Sequence, residues 1–309
     1  MNKMKEKKLI SVVVYLYNNQ SSIIDFLSQI VQRAELLFEQ FEMIIVNDCS
    51  TDNSVQGIKA TNLLKAHQIS IIQMSFHQGV ELCMNAGLDL STGDFVYEFD
   101  SVLIDFEESL FNDAYFKILD GYDIVTVSPK ENDKISSKLF YKTYNFFSKS
   151  NYKLRTDRFR ILSRRAINRA FSISATIPYR KAMYINSGVK IFNIEFEKIK
   201  TTKVYGEKQY LRNKTAIDAL IIYTNLAFRL SVSISLLLLL STFSIIIYTI
   251  FIYFGEDKPI EGWTTIMLLV SGSFSGLFLL IAFIIKYLSL ILELVFKKKS
   301  YIQENIEKI

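Results

Sequence analysis

The sequence predicts an α/β domain on a mostly parallel sheet, followed by an interfacial helix and a two-helix transmembrane hairpin. Two observations carry this. Short apolar runs rich in β-branched residues alternate with helix-period segments through Phe99, the pattern of a parallel sheet covered on both faces. Beyond Ser231 the apolar residues fill two long segments instead, which helps make half of the 309 residues hydrophobic.

Ile10 to Leu16 (ISVVVYL) is continuous rather than alternating and reads as a strand buried on both faces. Ser21 and Ser22 can cap a helix in which Ile23, Ile24, Phe26, Leu27, Ile30 and Val31 recur at helical spacing. Phe41 to Val46 is a second buried strand, closed by Asn47-Asp48-Cys49-Ser50-Thr51, with a capped helix starting near Asp52. Ile69 to Met74 is a third strand, Gly79 to Leu90 a helix, Gly93-Asp94 a turn and Phe95 to Phe99 a fourth strand. A further strand is expected at Gly121 to Val125, followed by the basic segment Arg158 to Arg165. This is a Rossmann-like order of elements.

Residues 213–230 look amphipathic and are expected to lie along a membrane surface. Val232 to Phe254 and Trp263 to Ile285 each reach the roughly 20 apolar residues that a bilayer-crossing helix needs. Arg229 before the first span, and Lys286 with Lys297-Lys298-Lys299 after the second, put both ends on the cytoplasmic side. The expected divisions are a cytoplasmic domain at 1–212, an interfacial helix at 213–230, a hairpin at 231–286 and a basic, amphipathic cytoplasmic tail at 287–309. Ser271, Gly272, Ser273, Ser275 and Gly276 let helices approach closely, either within the hairpin or in a homo-oligomer.

Composition narrows the function. A net charge of +5 without a basic tract interleaved with aromatics gives no sign of nucleic acid. Cys49 and Cys83 lack metal-type spacing and fit a reducing compartment, and two histidines are too few for a histidine-based zinc centre. The basic start at Met1 to Lys8 precedes an apolar run too short and too β-branched for a signal peptide, so the domain is expected to stay in the cytoplasm.

Sheets of this kind bind ligands beyond the carboxyl ends of their strands. Tyr17-Asn18-Asn19, Asn47-Asp48 and Asp100 fall there, although polar loops close strands in any α/β protein. In "YEFDSVLIDF", Glu98 and Asp100 share one strand face because side chains repeat every second residue.

Several segments, taken in order, resemble the family 2 glycosyltransferases of the polyprenyl-phosphate type. This is the group of dolichol-phosphate mannose synthase and the bacterial undecaprenyl-phosphate glucosyltransferases. Val14 to Asn19 stands where that family has "VPVYNE", and Val46 to Ser54 (VNDCSTDNS) resembles "VDDGSTDNS". Gly79, Gly87, Gly93 and Asp94 fall in the frame of its glycine-rich segment, and Phe159 to Arg164 (FRILSR) is similar to "FRLLSR". Gly206 to Tyr210, Gly262-Trp263-Thr264 and Tyr301-Ile302 resemble its later motifs.

The resemblance implies a GT-A fold and inverting transfer of a sugar from a nucleotide-diphosphate donor, with uridine as the expected base, to a polyprenyl (undecaprenyl) phosphate. Tyr17, Asn18, Asn47, Asp48, Gly79 and Asp94 would then bind the donor, and Asp100, Arg160 and Arg164 would be catalytic. It also implies Mg²⁺ or Mn²⁺ on the diphosphate, with Asp100 on the first acid of the family's metal motif and Asp105 on the last. Val102 takes the second-acid slot and cannot ligate. Three readings follow: Glu98 or Asp105 assists Asp100, the ion rests on Asp100, diphosphate and water, or catalysis is lost. Arg158, Arg165, Arg180, Lys181 and Lys208 would add positive charge toward phosphate or anionic membrane lipids. The alternatives are transfer to another lipid-linked acceptor and a non-catalytic membrane scaffold.

Overall fold

The computed structural model describes residues 5–61, 68–130, 135–148, 150–173, 179–199, 219–220, 224, 226–254, 262–295 and 303–308. The chain divides into two units, Met1–Ala219 with Phe296–Ile309, and Leu220–Val295.

The first unit is built on an eight-stranded sheet. Its opening half alternates as the sequence predicts: β1 (Ile10–Leu16), α1 (Ile23–Leu37), β2 (Phe41–Asn47), α2 (Ser54–Ala60), β3 (Gln68–Met74), α3 (Val80–Leu90), β4 (Phe95–Phe99) and α4 (Ser109–Leu119). There follow β5 (Ile124–Pro129), α5 (Ile135–Phe147), β6 (Phe159–Ser163), α6 (Arg164–Ile173), α7 (Arg180–Asn186) and β7 (Ile191–Phe196). The fifth strand therefore lies later than Gly121–Val125, and the basic segment is split between a strand and a helix.

β1 is fully buried because its β-branched run meets apolar residues on both faces. Helix α3 comes so close to the sheet that a Cβ on Gly87 would sit 2.3 Å from Val13 Cγ1 and 3.0 Å from Val46 Cγ2. Only glycine allows that approach. On the other face, Tyr97 and Phe111 stack at 4.1 Å, Phe99 and Phe159 at 5.1 Å, and Phe26 meets Phe99 edge-on at 5.2 Å. Val102 is buried in this same apolar core, which accounts for an apolar residue in the acid slot.

The strand order is β7-β5-β6-β4-β1-β2-β3-β8, where β8 is Gln303–Lys308. β1, β2, β3 and β4 are mutually parallel, and β6 runs antiparallel between β4 and β5. β8 pairs antiparallel with β3, Ser70 opposite Lys308 and Met74 opposite Gln303. Within the expected tail at 287–309, residues through Val295 continue a helix and 303–308 pair along a sheet edge.

The second unit holds two long helices, α8 (Leu226–Phe254) and α9 (Trp263–Val295). They pack on each other, with Thr242 Oγ1 donating to the Ser271 carbonyl at 3.4 Å. Within α9, the 24-residue stretch Thr265–Leu288 is long and apolar enough to cross a membrane. The apolar stretch found in α8 among the described residues, Leu236–Ile245, is shorter than a crossing requires. Most of the expected interfacial helix at 213–230, the turn at 255–261 and the Gly206–Tyr210 motif with Lys208 lie outside the described residues.

Candidate active site

The parallel register sets Leu16 beside Asn47 and Val14 beside Phe99, so the segments leaving β1, β2 and β4 emerge along one edge of the sheet. Two residues there hold left-handed backbone, Asn18 (φ 49°) and Cys49 (φ 56°). Asparagine tolerates this and cysteine does so uncommonly, so the surrounding hydrogen bonds hold the turn. Asn18 N donates to Ser50 Oγ at 3.0 Å, and Asn18 Oδ1 accepts from Thr51 N at 2.8 Å. Asn47 Nδ2 donates to Gln73 Oε1 at 2.6 Å, and Asn47 Oδ1 accepts from Ser50 N at 3.3 Å.

Asp48 is fully buried. Its carboxylate accepts from Gln78 N (2.7 Å), Gly79 N (2.8 Å) and Tyr15 OH (2.9 Å), and His77 Nδ1 lies 2.8 Å away. Tyr17 stacks on the His77 ring at 4.1 Å. Gly79 takes φ 89° at the start of α3, a conformation glycine adopts without strain. Asp48 therefore organises the 77–79 loop, with its carboxylate turned to protein partners.

Beyond β4 the charges converge. Asp100 Oδ1 accepts from Arg180 Nη2 at 2.6 Å, Oδ2 pairs with Arg160 Nη2, and Lys181 Nζ lies 3.9 Å from Oδ2. Glu98 is fully buried, and its Oε1 accepts from Arg180 Nη1 (2.6 Å) and Tyr184 OH (3.0 Å). Glu81 Oε2, from the first turn of α3, accepts from the Arg180 backbone N (2.9 Å) and Nε (3.0 Å). Arg160 Nε lies 3.4 Å from Glu98 Oε2 and 3.2 Å from Asp157 Oδ2, while Lys181 pairs with Asp157.

Four carboxylates thus enclose two guanidiniums and an ammonium. Burial alone would push the Asp100 carboxyl up, but Arg160, Arg180 and Lys181 hold it well below the usual carboxylate range. Burial dominates at Glu81, whose carboxyl is raised despite Arg180. It also lifts the Tyr184 phenol, with Glu98 adding to the effect.

β6 supplies Arg160 because its antiparallel register sets that residue opposite Glu98 on one side and Thr126 on the other. Thr126 is in turn opposite Asn193 of β7, so Glu98, Arg160, Thr126 and Asn193 form one polar row across four strands. Thr126 Oγ1 and Ser128 Oγ both donate to Asn193 Oδ1, at 2.8 and 2.6 Å. Arg160, Thr126 and Asn193 of this row line a cavity of about 460 Å³, together with apolar walls that include Leu154, Ile185 and Phe192 and with the charged Asp157 and Lys181. Arg160 is 1% exposed, and its Nη1 has no hydrogen-bond partner among the described residues.

Three expected site residues fall elsewhere. Arg164 begins α6 where β6 ends, and because β6 opposes β4 that point lies at the start of β4. There Arg164 Nη2 donates to the Gly93 carbonyl at 2.7 Å, away from Asp100. Asp94 sits at the same far edge, accepting from Leu9 N at 3.3 Å. Asp105 is gripped by Arg158, with Nε and Nη2 contacts of 2.6 to 2.8 Å. Arg180 and Lys181, expected to face phosphate or lipid, are instead tied into the cluster, and Arg165 pairs with Asp123. Sequence reading missed Glu81, Asp157 and Tyr184 as site residues. Glu81 carried a faint signal, a lone acid two residues past Gly79.

As placed, the carboxylates do not fit a divalent ion. Both Asp100 oxygens and Glu98 Oε1 already accept from arginine, and Asp105 faces Arg158. Among the described residues, no group of three or more acid, histidine or cysteine side chains is set to hold a metal.

Comparison with known proteins places this arrangement. Over 280 residues the chain is 23% identical to the uncharacterized glycosyltransferase YkcC of Bacillus subtilis, covering 88% of this chain and 85% of that one. It is 27% identical over 141 residues to the undecaprenyl-phosphate 4-deoxy-4-formamido-L-arabinose transferase of Aeromonas hydrophila, covering 44% of this chain and 43% of that protein. Among solved structures, its fold is similar to the mannosyltransferase PcManGT of Pyrobaculum calidifontis in complex with GDP-Man and Mn²⁺. That match has a TM-score of 0.51 at 13% identity, over 70% of this chain and 63% of that one. The model of the family "Glycosyl transferase family 2" matches residues 11–187, from β1 through the end of α7, more than half of the chain. The α/β sheet with its charged strand edge is therefore that of a glycosyltransferase enzyme, and the chain belongs to glycosyl transferase family 2.

Proposed function

We propose that this enzyme transfers a sugar from a nucleotide-diphosphate sugar, with uridine the expected base, to a polyprenyl phosphate such as undecaprenyl phosphate. The reaction takes place at the cytoplasmic face of a membrane and inverts the anomeric centre. The observation that carries the reading is a cavity lined by Arg160, a buried arginine that pairs with Asp100 and whose Nη1 has no hydrogen-bond partner among the described residues. A buried donor of this kind is costly unless an anion completes it. The Aeromonas relative, named for transfer to undecaprenyl phosphate, supports the acceptor class.

The acceptor phosphate oxygen is already anionic near neutral pH, so the site needs to position it and neutralise charge more than to remove a proton. Arg160 suits this task, since a guanidinium fork matches phosphate geometry. Asp100 holds Arg160 and Arg180 in place from its two oxygens. The displaced nucleoside diphosphate then leaves along the strand edge at Asn18 and Asn47. No step is assigned to Mg²⁺ or Mn²⁺, because arginines occupy the expected ligands.

Thr265–Leu288 supports membrane attachment: 24 helical residues extend about 36 Å, enough for the ~30 Å hydrocarbon layer. In the proposed arrangement α8 forms the second crossing and both flanks stay cytoplasmic. Gly272 and Gly276, with open space where a Cβ would stand, support a homo-oligomer contact along α9.

The test is incubation of the full chain, in detergent or vesicles, with undecaprenyl phosphate and a panel of UDP- and GDP-sugars. A glycosylated lipid phosphate is expected from one donor. Transfer only to a different lipid-linked acceptor would replace the acceptor assignment, and absence of any product would overturn the reading.

A further inference from the structure

We infer that the Arg180 guanidinium takes the place of a divalent cation at Glu98 and Asp100, so that the site binds a nucleoside diphosphate without metal. This rests on the reading that the site takes a nucleotide-sugar donor. The geometry is specific. Arg180 is fully buried and spends Nε on Glu81, Nη1 on Glu98 and Nη2 on Asp100, at 3.0, 2.6 and 2.6 Å.

A divalent ion bridging Glu98 and Asp100 at bonds of about 2.0–2.6 Å would have to expel that fork from both carboxylates. It would also enter beside Arg160 and Lys181, adding two positive charges where three cations already meet the acids. Close like charges in a buried site repel strongly.

The fork also has capacity left. A guanidinium carries five N–H donors, and the three contacts to acids leave one on each terminal nitrogen of Arg180. Fixed donors of this kind stabilise charge on a leaving group without reorganisation at the moment of reaction, the role that a metal fills elsewhere. Val102 completes the argument: the residue in the second-acid slot is 2% exposed in the apolar core, where no ligand is wanted.

The experiment measures UDP and GDP binding to the full chain in detergent by calorimetry, once in EDTA and once with MnCl₂. In parallel, the electron paramagnetic resonance signal of free Mn²⁺ is followed as protein is added. For the unaltered chain, affinity should agree within about threefold between the two buffers, and the Mn²⁺ signal should be undiminished by protein alone. In Arg180→Met, affinity in EDTA should fall about 10- to 100-fold, the scale of lost charged hydrogen bonds. Mn²⁺ should restore part of it, because Glu98 and Asp100 are then unblocked.

Nucleotide binding by the unaltered chain only with Mn²⁺, or Mn²⁺ uptake at this site, would overturn the inference while leaving the donor reading intact. Binding of neither nucleotide in either buffer would overturn the donor reading and this inference with it. The comparison on the unaltered chain stands alone should Arg180→Met fail to fold.

Discussion

Glu98 and Arg160 face each other across the antiparallel ladder of β4 and β6, and both are buried. Charges in such a place are stable only while paired, and removing one partner of a buried pair costs about 3–5 kcal/mol. Glu98→Ala leaves the Arg180 and Arg160 guanidiniums short of an acid. A drop of about 3 kcal/mol in unfolding free energy is expected, read from denaturant unfolding of the full chain in detergent. A change below about 0.5 kcal/mol, the scale of an ordinary surface substitution, would show the cluster to be solvated.

Asp100→Asn keeps the shape but removes the charge that brackets both arginines. Sugar transfer should fall at least about 100-fold, the loss typical when preorganised charge stabilisation is disturbed. Membrane insertion should be unchanged. Full turnover in a sugar-lipid assay would remove Asp100 from the mechanism.

The depressed Asp100 carboxyl sets a sign for acid stability. Its folded pKa lies below its unfolded value near 3.9, so its contribution is complete above that value and lost as pH falls through the folded one. Glu81 has the opposite sign: raised by burial, it favours the fold at low pH and gives that up as pH rises through its folded pKa. The stability advantage of the unaltered chain over Asp100→Asn should therefore shrink below about pH 4 in denaturant titrations. A constant gap down to acid pH would contradict the assignment.

Ile185 lines the cavity without joining the charged cluster. Ile185→Trp should fill part of the cavity and raise the KM for polyprenyl phosphate about tenfold, the order of a pocket mismatch. UDP affinity should be unaltered. An unchanged KM would place the acceptor elsewhere.

Gly87→Ala would put a Cβ 2.3 Å from Val13 Cγ1. Overpacking of this kind typically costs about 1–3 kcal/mol, visible as a lowered Tm of the full chain. No shift would mean that α3 can withdraw from the sheet.

Much of the first half was legible because local pattern and tertiary structure agree there. The continuous runs of β1 and β2 could only be strands covered on both faces, and their parallel register then put Asn18, Asn47 and Asp100 at one edge. Strand direction was not legible. FRILSR lies next to β4, but its reversal sends Arg160 to the charged cluster and Arg164 to the far end of the sheet.

Long-range pairing was equally hidden. Arg180 meets Glu81 across 99 positions and Asp100 across 80, and no spacing rule encodes such contacts. β8 escaped because QENIEK reads as a solvated segment, although charged residues are typical of an edge strand.

That edge strand has a consequence for biosynthesis. β8 belongs to the same unit as β3 but follows the whole of α8 and α9 in the chain. During translation β3 is made long before its neighbour, and its outer hydrogen-bonding groups wait while both helices are synthesised. An open strand edge invites pairing with other chains, so the nascent enzyme passes through an aggregation-exposed stage. The β3 edge is paired only after the helical unit has been made, so the first unit completes its sheet after the second has been synthesised.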